Sequence, residues 1–272
     1  MNRIELKKDS LIENIQLYLS DTNNYVIKWD NFINCNVDIF IKDDSKIDIL
    51  ELGQNRCNYV NYFIGKNSHL KLTICSLDVA SSTKYHLTLN ENSTCEAAYA
   101  DFDNGTKKCS FNFDLNGNYS SVFWHLASLS SSNDKKEFEI SFNHNAINTE
   151  AIMDNYGVCE DEASLTFSGV GFIKNGAKKT KAHQTAKIMV FDKNCNAKAC
   201  PILKIDENDV EASHAATVGK VSEEHLFYLC SRGITKDDAK RLITLGYLNP
   251  IIKYFGEDEI ASSIENVIQR RV

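Results

Sequence analysis

The chain has 272 residues, 43% of them apolar and 25% charged, with a formal net charge of −7 and a pI near 5.5. That length and composition suit one large folded domain, or a domain with a small module, and the acidic balance excludes a surface built to neutralise nucleic-acid phosphates. No apolar run approaches the ~20 residues of a membrane span, and the opening MNRIELKKDSLIENIQLYL lacks the uncharged centre of a secretory signal, so a cytoplasmic protein with no membrane contact is expected.

Residues 4–20 read as a short amphipathic helix. Ser10 would cap it with Glu13 three residues on, and Leu11, Ile15, Tyr18 and Leu19 would share one side. From Tyr25 to about Val218 the period changes to two. Asp38 to Ile41, Lys46 to Ile49, Leu70 to Ile74, Tyr85 to Leu89, Ser110 to Phe113, Glu137 to Ile140 and Leu165 to Phe167 alternate as strands do. Polar turn clusters separate them. A small or polar residue precedes a strand at Ser45, Ser68, Ser93 and Asn118, in steps of 23, 25 and 25, and similar elements return near Ala146, Ala163 and Cys195. A recurring period in the low twenties suggests stacked coils. Taken alone, the pattern supports a β-helix about as well as a β-sandwich.

Helical signals dominate after residue 220. Ser222 precedes Glu223 and Glu224, acidic residues suited to a helix start. Leu226, Phe227, Leu229 and Cys230 would form the apolar face, and Gly233 would stop the helix. Thr235 and Asp238 open a second helix, with Ala239, Leu242 and Ile243 inward and Gly246 at its end. Pro250 to Tyr254 and Glu257 to Gln269 read as one or two more, the last with a stripe of Ile260, Ile264, Val267 and Ile268. The expected division is 1–24 as an N-terminal helical cap, 25–219 as the β core and 220–272 as a C-terminal helical module. The caps would close or flank the solenoid's ends.

The nine cysteines are odd in number and scattered, and no C-x-x-C occurs. That argues against a disulfide framework or a zinc ribbon. Cys75, Cys95 and Cys109 lie in alternating segments and Cys230 on a helix face, so all four are expected in the core. No G-x-x-x-x-G-K-[ST] loop is present, so no nucleotide site is expected. Asp101, Asp103 and Asp114 could imitate the carboxylates of a β-helical carbohydrate-active enzyme, although Asp103-Asn104-Gly105 is more simply a turn. Lys174 to Lys181 reads as a solvated loop, with His183 in an exposed insertion. For His214, the residues alone favour a ring whose nitrogens satisfy backbone groups at a sheet edge.

Ser213-His214-Ala215-Ala216-Thr217-Val218-Gly219, followed by EEHLFYLCSRGITKDDA, resembles the C-terminal signature of the SufB/SufD family, the scaffold subunits of SUF iron–sulfur cluster assembly. Ala182-His183-Gln184-Thr185 and Pro201-Ile202-Leu203 extend the likeness more weakly. The resemblance implies a mainly β fold, a right-handed parallel β-helix with a short N-terminal helix and a C-terminal helical module. It also implies a SufD-like, non-catalytic scaffold that pairs with a SufB-like subunit by strand addition and docks a SufC-like ATPase. A reduced two-component system would instead pair two copies of this chain. His214 matches the family's histidine near the SufB interface, where a transient iron–sulfur cluster would form, and Glu211 and Cys200 are further candidates for that site. Glu211 should lie on the opposite strand face from His214. The position of SufB's essential cysteine falls on Thr185, which cannot supply a thiolate. Glu224, Leu226, Phe227, Tyr228, Arg232 and Gly233 form the candidate SufC-docking module.

Overall fold

In the computed structural model, residues 2–6, 14–29, 36–53, 59–77, 82–255 and 258–272 are described. Among the described residues, seventeen strands form two parallel sheets that alternate along the chain. The odd-numbered sheet runs β1 Asn2–Leu6, β3 Thr22–Trp29, β5 Lys46–Gly53, β7 His69–Ser76, β9 Thr94–Asp101, β11 Ser121–Ser130, β13 Glu150–Cys159, β15 Thr180–Val190 and β17 Val210–Lys220. The even-numbered sheet runs β2 Asn14–Leu19, β4 Asn36–Ile41, β6 Tyr59–Ile64, β8 Lys84–Leu89, β10 Thr106–Leu115, β12 Lys135–His144, β14 Ser164–Ile173 and β16 Asn196–Ile205. Each coil contributes one strand to each sheet, which makes the molecule a parallel β-solenoid. Its interior is filled from both sheets by alternate residues, among them Ile39, Ile47, Leu87, Phe113, Trp124 and Phe167, all under 2% exposed.

The turns explain the period. A residue with φ near +55 to +60° precedes a buried Ser or Thr at Asp44–Ser45, Asn67–Ser68, Asn92–Ser93, Tyr119–Ser120, Asn148–Thr149 and Lys179–Thr180. Asp and Asn tolerate that conformation better than other side chains with a Cβ. The hydroxyls tie coil to coil, as in Ser45 N–H donating to Ser68 Oγ at 3.1 Å. The fourth member of the column is therefore Ser120, not the expected Asn118. That turn has five residues, 116–120, against four in the one before it, 90–93, and its left-handed position falls on Tyr119. Partners one coil apart are offset by 23, then 25, 27, 29 and 31 residues, as the even strands lengthen from six residues to ten, the odd strands from eight to ten, and the connections between them grow. A fixed repeat in the low twenties is thus confined to the first coils.

The described residues of the expected N-terminal helix are strands: 2–6 pair with β3 and 14–19 with β4. Ile15 and Leu19 face inward as the period-two pattern of a coil requires, while Tyr18 points out and stacks on Phe40. Ser10, Leu11 and Glu13 lie outside the described residues.

The C-terminal part holds α1 Glu223–Ser231, α2 Lys236–Ile252, a short 3-10 turn Lys253–Phe255 and α3 Asp258–Arg271. Ser222 and Thr235 cap the first two as expected, accepting from the backbone N–H of His225 and Asp238. Gly246 does not end α2; the helix runs through it and past Pro250. Proline cannot donate to the carbonyl four residues back, which is that of Gly246, and the helix gives way to the 3-10 turn three residues later. The helices also do not cover the solenoid's end. Leu248, Ile251, Ile252, Ile260, Ile264, Val267 and Ile268 pack along the outer face of the odd sheet, against Leu50, Ala98, Ala127, Leu129 and Val158.

Candidate functional site

The solenoid stops at β16 and β17, and no described strand pairs with the far edge of either. Both are exposed or half-buried along their length, and Ile202, Ile205 and Val218 are more than 40% exposed. This is the open border on which the candidate residues stand.

Register fixes their directions. Ile49, Leu72, Ala97, Trp124, Met153, Gln184 and His214 are successive partners across the odd sheet, and all of them from Ile49 to Gln184 are buried. His214 is thus the last member of an interior column. It is exposed because no coil follows it. Its ring makes no hydrogen bond to any described residue, so it is not a histidine satisfied by its own backbone. Glu211 pairs in register with Lys181 on the outer face, its carboxylate 4.0 Å from the Lys181 ammonium. Glu211 and His214 do occupy opposite faces. Cys200 is exposed and sits opposite Ser168 on the outer face of the even sheet. The three candidates share the terminal coil but converge on no common point, and among the described residues no three metal-ligating side chains converge anywhere.

Gln184 was not singled out as a site residue by the sequence, yet it lies directly below His214. It is 3% exposed, its amide nitrogen donates to Ile202 O at 3.3 Å, and its Oε1 has no hydrogen-bond partner. Gly169 and Gly171 make room for it; a Cβ on Gly171 would lie 2.6 Å from Gln184 Nε2. The signal was present in Ser168-Gly169-Val170-Gly171, where glycine falls on both inward positions. Thr185 faces outward beside Asp154, whose carboxyl burial holds above its ordinary range. His183 belongs to β15 rather than to a loop, its Nδ1 2.7 Å from Ser213 Oγ.

The acidic trio forms no open carboxylate pair. Asp101 and Asp103 are buried among the ammonium groups of Lys107 and Lys136, with Lys107 Nζ 2.7 Å from Asp101 and Lys136 Nζ 2.9 Å. Burial works against ionising Asp101, but the two lysines outweigh it and hold the carboxyl below its ordinary range. Asp114 lies 2.8 Å from His86 Nε2 on the outer face of the even sheet.

On α1, no residue is buried. Phe227 is 75% and Tyr228 57% exposed, Arg232 lies 5.3 Å from the Tyr228 ring centroid, and Gly233 has φ +88°. Glu224 is exposed and Leu226 half-buried. Cys230, expected in the core, is exposed, because α1 packs mainly on α2 and none of its residues is buried.

These features define a β-solenoid that presents an open strand border, an unpaired imidazole and an uncovered helix. The sequence matches the family described as "SUF system FeS cluster assembly, SufBD core domain" over residues 3–247. The chain belongs to that family. It is 40% identical to the iron–sulfur cluster assembly protein SufD of Bacillus subtilis over 124 residues, 46% of this chain and 28% of the relative. It is 28% identical to a SufBD family protein of Staphylococcus saprophyticus over 110 residues, 40% of this chain and 24% of the relative. A SufBD family protein of Mycobacterium bovis is 33% identical over 110 residues, 40% of this chain and 13% of the relative. The matched stretch therefore spans less than a third of each of these relatives. No helix among the described residues is long and apolar enough to cross a membrane.

Proposed function

We propose that this chain is a SufD-like, non-catalytic scaffold subunit of SUF iron–sulfur cluster assembly. Its open border would pair with a SufB-like subunit by strand addition, and its helical module would dock a SufC-like ATPase. The observation that carries the reading is the position of His214, the exposed end of an otherwise buried column on an unpaired edge strand. An imidazole so placed can ligate iron only together with groups from elsewhere, since Glu211 and Cys200 face other ways. The partner across the border would supply those groups, and the nascent cluster would be cargo held between the two chains. Exposed Phe227 and Tyr228 give α1 the aromatic anchors that protein contacts favour.

Anaerobic co-purification with SufB-like and SufC-like proteins tests this. A ternary complex is expected, with iron and sulfide that fall when His214 is replaced by alanine while the complex persists. Self-association together with SufC binding, and no affinity for SufB, would identify the two-component arrangement. Binding to neither SufB nor SufC overturns the proposal.

A further inference from the structure

Thr73, Ala98 and His125 are successive partners on the outer face of the odd sheet, and Lys71 pairs with Glu96 in the neighbouring column. Alanine stands between two larger side chains, so the column has a notch. The turn Lys253–Phe255, which follows α2, roofs it. The Tyr254 ring stacks on His125 with centroids 3.6 Å apart and planes 8° from parallel. Sheet and turn thereby enclose a cavity of about 130 Å³, bordered by all five of these outward residues together with Lys253 and Tyr254.

The lining divides by character. Ala98 and His125 are 5% and 6% exposed. The imidazole is held by stacking, since its Nδ1 has no hydrogen-bond partner and the nearby Asp154 carboxylate oxygen is 3.6 Å away. Burial and the Lys253 charge push its pKa down to about 4, so the ring is a neutral wall near pH 7. Thr73 brings a hydroxyl to the floor. The rim is charged. Neither Lys71 nor Lys253 forms an ion pair with a described residue, and Glu96 lies 4.0 Å from His69 Nε2. Two ammonium groups against one carboxylate leave a single positive charge in excess. A concave, largely apolar wall with a few polar groups at its edge is how small-molecule sites are built.

We propose that this cavity binds a small monocarboxylate, its carboxylate against the Lys71 and Lys253 ammonium groups and its carbon skeleton against Ala98 and the His125–Tyr254 stack. The charge count selects that class. A monoanion neutralises the excess, whereas a phosphate dianion would overshoot it beside Glu96. Charge-assisted hydrogen bonds from the two lysines orient the ligand, and no covalent bond forms or breaks. Lys71 belongs to β7 and Lys253 to the turn after α2, so the bound ligand ties the helical module to the sheet. The site lies in the coils of β7 to β11, not at the border of β17, and does not depend on the scaffold role.

Propionate is the probe, titrated into the full chain and followed by ligand-observed NMR. Saturable binding is expected, about tenfold weaker for propionamide, which keeps the shape without the charge, and about fivefold weaker for Lys71→Gln and for Lys253→Gln. Glu96→Gln, which removes the like charge, should tighten it about threefold. Hydrogen exchange of residues 251–254 should slow when the wild type is saturated, a readout that needs no variant to fold. Absence of saturable binding, propionamide held as tightly as propionate, phosphate held more tightly than propionate, or undiminished binding by Lys253→Gln each overturns the proposal.

Discussion

Gln184 and His214 are adjacent rungs of one interior column, and the first is buried where the second is exposed. The amide below is held by Ile202 O and by the space that Gly169 and Gly171 leave. Replacing Gly171 with alanine would set a methyl 2.6 Å from Gln184 Nε2 and 2.9 Å from Leu203 Cδ2. A loss of about 1–3 kcal/mol is expected for such overpacking. Denaturant unfolding measures it, and a variant as stable as the wild type would show that the last coils are looser than described.

Arg271, the penultimate residue, reaches from α3 into the solenoid wall. Its guanidinium donates to Phe102 O at 2.9 Å, Asp103 O at 2.6 Å, Leu129 O at 3.3 Å and Ser131 Oγ at 2.9 Å, and pairs with Asp134. Arg271→Ala should cost about 2–4 kcal/mol, since it removes the cation paired with the buried Asp134 carboxylate, which would keep only the backbone N–H groups of Gly105 and Ser131. Hydrogen exchange should show α3 losing protection before the strands do. Equal loss in both would mean that the helices are not held by this contact.

Gly246 lies inside α2 with open space where a Cβ would go. Gly246→Ala should therefore stabilise by about 0.5–1 kcal/mol through helix propensity. A destabilised variant in thermal unfolding would indicate that the glycine ends the helix after all.

His86 and Asp114 give a pH dependence of defined sign. The hydrogen bond that His86 donates to Asp114, together with the carboxylate's charge, raises the imidazole's pKa against the opposing effect of burial, and His86 in turn lowers that of Asp114. The histidine's contribution is complete below its unfolded value near 6.5 and is lost as pH rises through the higher folded value. The aspartate's contribution is complete above its unfolded value near 3.8 and is lost as pH falls through the lower folded value. The pair should therefore stabilise most between about pH 4 and 6.5. Because both groups are partly exposed, the effect should be no more than about 1 kcal/mol. Comparing His86→Gln with the wild type at pH 5.5 and 8.5 should show the larger difference at the lower pH. The reverse order would remove the pair from the account.

Much of the fold was legible because a parallel coil writes itself into sequence as alternation and turn. Asp38 to Ile41 and Leu165 to Phe167 alternate plainly, and Ser45, Ser68 and Ser93 mark the same corner. The misreadings are local. Residues 14–19 contain inward positions compatible with either period, and a short segment cannot choose between helix and strand without its neighbour in the sheet. Tyr119 took a left-handed conformation that Asn118 would have tolerated better, because its turn is one residue longer than the one before it.

By itself the sequence determined the family signature around His214, the period-two core and the caps at Ser222 and Thr235, since these depend on residues close together along the chain. Tertiary structure alone decided that His214 ends a buried column, that Cys200 lies on the outer face of the other sheet and that Arg271 reaches Asp134. Each of those depends on the offset between coils, which grows from 23 to 31 residues and is set by how many residues each strand and turn takes up.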